Sequence, residues 1–150
     1  MRFLMVDAID ACEPGIFIRA RKLTSPAERY WQPDEQGAVM PAPLILEALC
    51  QAGAWLVFIS TEHRRRAALV SIGSVHFTGT VRPGETLELE GTVDSMTEEA
   101  AVFSGRVLVD GRTVLGAQEI MCAMINAEEL EDPEQTQVML RTVYRAGGGA

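Results

Sequence analysis

The sequence predicts an α+β fold in which a curved antiparallel sheet wraps around one long central helix. Three observations lead there. Residues 43–62 are apolar on every side at helical spacing, and a helix with no polar face has to be buried. Two strand-like segments precede it and four follow, divided by clear turn signals. No repeat, low-complexity block or linker interrupts the 150 residues, a length that suits one domain with its own core. A single helix cannot be buried by loops, so the economical arrangement closes the sheet over it.

The elements follow in order. Residues 2–12 and 15–24 read as two strands joined at the turn-forming "EPG". In "GIFIRARKL" apolar and basic residues alternate, which sets Arg19, Arg21 and a further cation on one face. Residues 25–42 are polar, carry Pro and Gly, show no periodicity and are read as a loop. Pro43 suits the first helical position, where a missing N–H costs nothing. The run "EHRRR" at 62–66 closes the helix, with cations favourable at its C-terminus. Strands are then expected at 67–81, at "TLELEGTVDSMTE" after the turn "RPGE", and at "AAVFSGRVLV". The last pairs with "RTVLGAQEIMCAMI" through the hairpin turn "DG". Residues 1–126 form the domain, and 127–150 an acidic tail, helical at 133–145 and frayed at "AGGGA".

Composition narrows the function. A net charge of −8 argues against nonspecific nucleic-acid binding, which depends on Lys and Arg neutralising phosphates. Three cysteines, Cys12, Cys50 and Cys122, lie in apolar surroundings without CxxC spacing. They read as buried free thiols in a reducing cytosol, not as metal ligands. No secretory signal is visible. The apolar run 43–59 is at the short limit for a membrane span and contains Glu47 and Gln51, so a core helix is expected and no membrane association.

Glu47 is the residue that calls for chemistry. It shares a helix face with Gln51, and a carboxylate in apolar surroundings needs a hydrogen-bonding partner. The helix N-terminus lies one turn before it, where Ala42, Leu44 and Ile45 are the available N–H donors for a polarised carbonyl. The bland reading is a Glu held by backbone amides or an Arg. The functional one is an acyl-transfer or elimination site.

At these residues the sequence resembles the 3-hydroxyacyl-acyl carrier protein dehydratases of fatty-acid synthesis. Their core motif reads H-F-P-G-x-P-x-M-P-G-x-L-x-x-E-A-x-x-Q. Met40, Pro41, Leu44, Glu47, Ala48 and Gln51 match it in register. A later F-x-x-x-V-x-P-G-(D/E)-x-L pattern is matched by Phe77, Val81, Pro83, Gly84, Glu85 and Leu87. The resemblance spans about residues 3–126 and implies a hotdog fold, a dimer, and acyl tunnels lined by both chains. It implies that a His from one subunit removes the α-proton of the thioester while a carboxylate from the other handles the leaving hydroxyl. By position Glu47 takes the carboxylate role and Gln51 supports it. The Ala42 N–H holds the thioester oxygen, with Leu44 beside it. No cofactor is implied beyond the phosphopantetheine that carries the substrate on acyl carrier protein.

The sequence departs from the motif at the base. Ungapped, Pro33 stands where the family has its His; aligning "YWQ" to the family's aromatic-aromatic-Gln places Asp34 there instead. Asp is a weaker base than His, unless burial beside Glu47 raises its pKa. The two histidines are His63, roughly 24 Å along the helix from Glu47, and His76, which reads as a surface histidine of a strand. Four readings stay open: a dehydratase using Asp34, a subunit completing the site of a His-bearing partner in a heterodimer, a hotdog thioesterase using Glu47, and a noncatalytic acyl-binding module. Arg19, Arg21, Lys22, Arg64 and Arg65 are candidate docking cations for acidic acyl carrier protein; the plainer reading is a solvated strand face and a charged helix end.

Overall fold

The computed structural model describes residues 4–130 and 133–147. Its strands are β1 (Ala8–Glu13), β2 (Phe17–Leu23), β3 (Gln32–Asp34) and β4 (Gly37–Val39), then β5 (Arg65–Phe77), β6 (Thr86–Met96), β7 (Ala100–Val109) and β8 (Arg112–Asn126). Helix α1 (Ala42–Ser60) separates the two groups, and α2 (Ala127–Leu130) and α3 (Pro133–Gly147) follow the last strand. Six strands form one antiparallel sheet in the order β1-β2-β6-β7-β8-β5, curved around α1, so the α+β hotdog arrangement expected from the sequence is the one observed.

The last four strands are not a simple meander. β6, β7 and β8 follow one another, but β5 crosses to the far edge and pairs with β8 from Arg65–Asn126 to Phe77–Leu115. The residues expected as an unstructured loop contain the hairpin β3–β4, paired from Gln32–Val39 to Asp34–Gly37. Its strands are only three residues each, β3 is exposed throughout and contains Pro33, so neither alternation nor propensity marks them.

Nine residues of α1 are buried, among them Ile45, Leu49, Leu56 and Phe58. Helix and sheet approach closely at two glycines. A Cβ at Gly53 would overlap the ring of Phe103 on β7, and one at Gly105 would meet Leu49 and the Glu90 carbonyl. The opposite face of α1 is less covered: Pro43 and Glu47 are exposed, and Leu46, Cys50, Gln51 and Ala54 are half-buried. The helix is therefore not enclosed all round by its own chain, because the sheet reaches only one side of it.

The helix ends at Ser60, and Glu62 and His63 take left-handed φ of 54° and 67°. Arg65 and Arg66 belong to β5 and not to a helix-terminal charge cluster. Arg66 lies over Trp55 and Phe58, 5.8 and 5.6 Å from the ring centroids, a cation–π contact. Helix α3 packs along β1, with Leu140 buried and Met139, Val143 and Tyr144 joining the core. The fraying expected for the last residues lies outside the described residues beyond Gly147, as does the start of the N-terminal segment before Leu4.

Candidate active site

Helix α1 begins with Pro41 as N-cap, at φ −56° and ψ 133°, without a side-chain cap. Ala42 is the first helical residue and Pro43 the second, one step later than the first position expected for it. The Ala42 N–H has no intrahelical acceptor and Pro43 has no N–H. The Leu44 N–H, counted among the free donors from sequence, instead donates to the Pro41 carbonyl at 2.9 Å. The N-cap carbonyl also faces the Ile45 N–H as the first i→i−4 acceptor. Flanking prolines thus leave Ala42 as the first-turn donor at the helix end.

One turn on, the Gln51 Nε2 donates to Glu47 Oε1 at 2.9 Å. Gln51 Oε1 accepts from the Met5 N–H at 2.7 Å. The carboxylate is thus hydrogen-bonded along its own helix face, although it is exposed and not buried as its apolar neighbours in sequence suggested. It lies on the face of α1 that the sheet leaves uncovered. Pro43, Leu46 and Cys50 make that face apolar around Glu47.

Asp34 is placed quite differently. It sits exposed on β3, and its Oδ1 accepts from the Arg82 guanidinium at 2.7 Å and from the Gln36 N–H at 2.9 Å. Arg82 also donates to the Ala38 carbonyl at 3.1 Å and to Gln36 Oε1 at 3.3 Å. This fastens the β3–β4 hairpin to the β5–β6 turn. The Arg82 guanidinium holds the Asp34 carboxyl below its ordinary pKa. The sequence allowed a rise through burial beside Glu47; the shift runs the other way, because a cation and not a carboxylate is its neighbour. A lowered pKa makes Asp34 a poorer base.

The histidines lie elsewhere. His63 stacks on Phe58, ring centroids 4.7 Å apart, past the far end of α1. His76 is exposed on β5 opposite Gly116. Burial first, then the nearby Glu47 and Cys122, push the Cys50 thiol up to about 12, and burial pushes Cys122 to about 11, which disfavours the reactive thiolate at both. No cluster of metal-ligating side chains occurs among the described residues.

The basic residues separate into groups. Lys22 is not an outward cation: strict alternation puts it on the buried face with Ile18 and Ala20, where it reaches Glu28 at 3.2 Å and Asp7 at 3.5 Å. Glu28 also accepts from the Tyr30 hydroxyl, so the group pins the segment between β2 and β3. Arg21 is held by Asp10 at 2.8 Å. Arg19 is exposed opposite Glu90, whose carboxylate is taken by Arg106. Arg64 and Arg65 line a cleft of about 410 Å³ with Ser60, Thr97, Glu98 and Asn126, at the opposite end of α1 from Ala42.

Sequence reasoning missed two participants. Arg82 appeared only within the turn "RPGE", yet its N–H donates to Glu85 at 2.6 Å while Arg112 holds the other Glu85 oxygen at 3.0 Å. An Arg next to the Pro83-Gly84 turn was the available signal. Met5 acts through its backbone, which no side-chain pattern reveals.

Comparison with known proteins agrees with this architecture. Residues 1–118 match the FabA-like domain family. The 3-hydroxyacyl-[acyl-carrier-protein] dehydratase FabZ of Nitratidesulfovibrio vulgaris (strain DP4) is 37% identical over 131 residues, covering 85% of this chain and 84% of that protein. FabZ of Chloroflexus aggregans is 42% identical over 96 residues, 63% of this chain and 67% of that protein. The chain therefore belongs to the FabA/FabZ-like hotdog family. Among solved structures, the dehydratase heterocomplex ApeI:P from Xenorhabdus doucetiae shares the fold at TM-score 0.64 and 13% identity, over 91% of this chain and 89% of that one. The Pyrococcus horikoshii protein PH1136 does so at TM-score 0.65 and 16% identity, over 81% and 85%.

Proposed function

We propose that this chain is the carboxylate-bearing half of a two-chain dehydratase acting on 3-hydroxyacyl thioesters of acyl carrier protein. The observation that carries the reading is the asymmetry of the site. Glu47, its Gln51 partner and the Ala42 N–H are in place on an uncovered helix face, while Asp34 is tied to Arg82 and neither histidine lies near. A His-bearing hotdog subunit supplies what is missing. Its imidazole takes the α-proton, the C–O bond at the β-carbon breaks, and Glu47 donates a proton to the departing hydroxyl. Water and the α,β-unsaturated thioester are the products, and the Ala42 N–H holds the thioester oxygen as charge develops there.

The open edge of the sheet favours such a partner. Leu69, Val70 and Phe77 of β5 are each about half exposed, at 54%, 61% and 48%. A dehydratase heterocomplex with this fold, ApeI:P of Xenorhabdus doucetiae, is in keeping with such a partner. Arg19, Arg64 and Arg65 remain the cations available for carrier-protein docking, which takes place in the cytosol.

The test is reconstitution. The chain alone, a His-bearing FabZ-type subunit carrying Gln for its own catalytic carboxylate, and the two combined are assayed on 3-hydroxyacyl-carrier-protein thioesters. Enoyl absorbance from the mixture alone is expected, and Glu47→Gln in this chain abolishes it. Enoyl formation by this chain alone refutes the half-site reading in favour of a self-sufficient dehydratase. Release of free thiol by this chain alone would identify a thioesterase.

A further inference from the structure

We propose that the backbone N–H of Met5 is a positioning group of the site. Through Gln51 it determines which oxygen of Glu47 exchanges a proton. The inference rests on the function proposed above and extends it to the N-terminal segment.

A glutamine one turn from a glutamate does not by itself settle how they meet. The side-chain amide presents an acceptor on one side and donors on the other, and turning it over converts a donor toward the carboxyl group into an acceptor. Gln51 has an external reference. The Met5 N–H, 2.7 Å away, can only donate, so the atom facing it is Oε1. The amide group facing Glu47 is then Nε2, which donates at 2.9 Å to Oε1 of the carboxylate. A carboxylate oxygen that receives this N–H carries no proton toward it. The acid form of Glu47 therefore holds its proton on Oε2, and Oε2 is the atom that delivers it to a leaving hydroxyl.

The reference is itself rigid. Met5 is fully buried and Val6 is 6% exposed. The Asp7 N–H donates to the Arg21 carbonyl at 2.8 Å, and Asp7 Oδ2 accepts from the Leu23 N–H at 2.6 Å. The segment before β1 is thus anchored along β2, and a main-chain group from it, 46 positions away in sequence, orients Gln51. A side chain at position 5 contributes packing; the orientation comes from the N–H.

Met5→Pro removes the N–H, and Met5→Leu, which keeps the N–H and the apolar bulk, is the conservative rescue. In the isolated ¹⁵N-labelled chain, the Gln51 side-chain NH₂ pair is assigned by its loss in Gln51→Glu. It should be dispersed in wild type, move in Glu47→Gln, and shift in Met5→Pro but not in Met5→Leu. In the reconstituted complex, Met5→Pro should lower kcat about tenfold with KM nearly unchanged, the scale of one hydrogen bond to a charged group. An unmoved Gln51 signal in folded Met5→Pro overturns the proposal, as does an unchanged kcat. Should Met5→Pro not fold, Gln51→Glu decides: it still accepts from Met5 but offers Glu47 no amide donor, and unchanged turnover overturns the assignment. If no partner subunit yields turnover, the functional reading fails, while the NH₂ signal still decides whether Met5 orients Gln51.

Discussion

The two edges of the six-stranded sheet are finished in opposite ways. On β1 the register slips between Ile9 and Ala11, Asp10 is bound to Arg21 across the edge pair, and α3 packs along the strand. A bulge, a charge and a covering helix are the usual devices that stop a strand from recruiting another. β5 carries a bulge between Leu69 and Ser71, but residues 67–75 contain no charge and no proline, and Leu69 and Val70 stand exposed. One edge is closed by the chain itself, and the other is left in the condition of a surface that expects company. The match to the FabA-like domain family ends at residue 118, within β8, and the helix that closes the β1 edge lies beyond it.

The closed edge should be the costlier to disturb. Leu140, 5% exposed, anchors α3, and Leu140→Ala is expected to destabilise the fold by about 2–5 kcal/mol in urea unfolding. A loss below about half a kcal/mol would mean that α3 does not seal the edge. At the open edge, Val70→Lys should leave folding unchanged but weaken association with the partner subunit about tenfold or more, roughly 1.4 kcal/mol, read by sedimentation. Equal affinity would move the interface away from β5.

Cys12 reports on the closed edge without breaking it. Burial raises its pKa, while the Tyr144 hydroxyl of α3 donates to its sulfur and offsets part of that rise. At pH 8 its alkylation should be slower than that of a free cysteine and should accelerate as pH climbs, because thiolate is the reacting form. Leu140→Asp should speed it; an unchanged rate would show that α3 leaves Cys12 accessible.

The smallest effect belongs to the β3–β4 hairpin, which lies at neither edge. Asp34 has a folded-state pKa below its unfolded value. Its stabilising contribution is therefore present above about pH 4 and is lost as pH falls through the folded pKa. Acidification below pH 4 should release the hairpin first, seen as a change in Gly37 amide shifts that is absent in Asp34→Asn. The Leu69 and Val70 amides should not respond in step.

Much of this was legible in the sequence, and the limits have physical reasons. The long helix announced itself because an apolar run with no polar face has few other solutions; alternation marked β2 and β6, and the turn at Asp110-Gly111 marked the β7–β8 hairpin. The destination of β5 was not legible: alternation says which face a residue takes, not which strand is its neighbour. Glu47 and Gln51 stood out as polar groups in an apolar run. Lys22 was misjudged because its stem and charge suit solvent in general, while period two assigned it to the inner face beside two carboxylates. Asp34 was misjudged because its decisive neighbour, Arg82, lies 48 residues away.

The contact between Gly53 and Phe103 has a consequence for the carboxylate. A ring seated where a side chain would otherwise be works like a key in a slotted shaft: it fixes how α1 is turned about its own axis. Glu47 precedes Gly53 by six residues, about 600° of rotation, so it points roughly 120° around the helix from that slot. The bearing of the carboxylate is thus set from a face about a third of a turn away, by an absent methyl group.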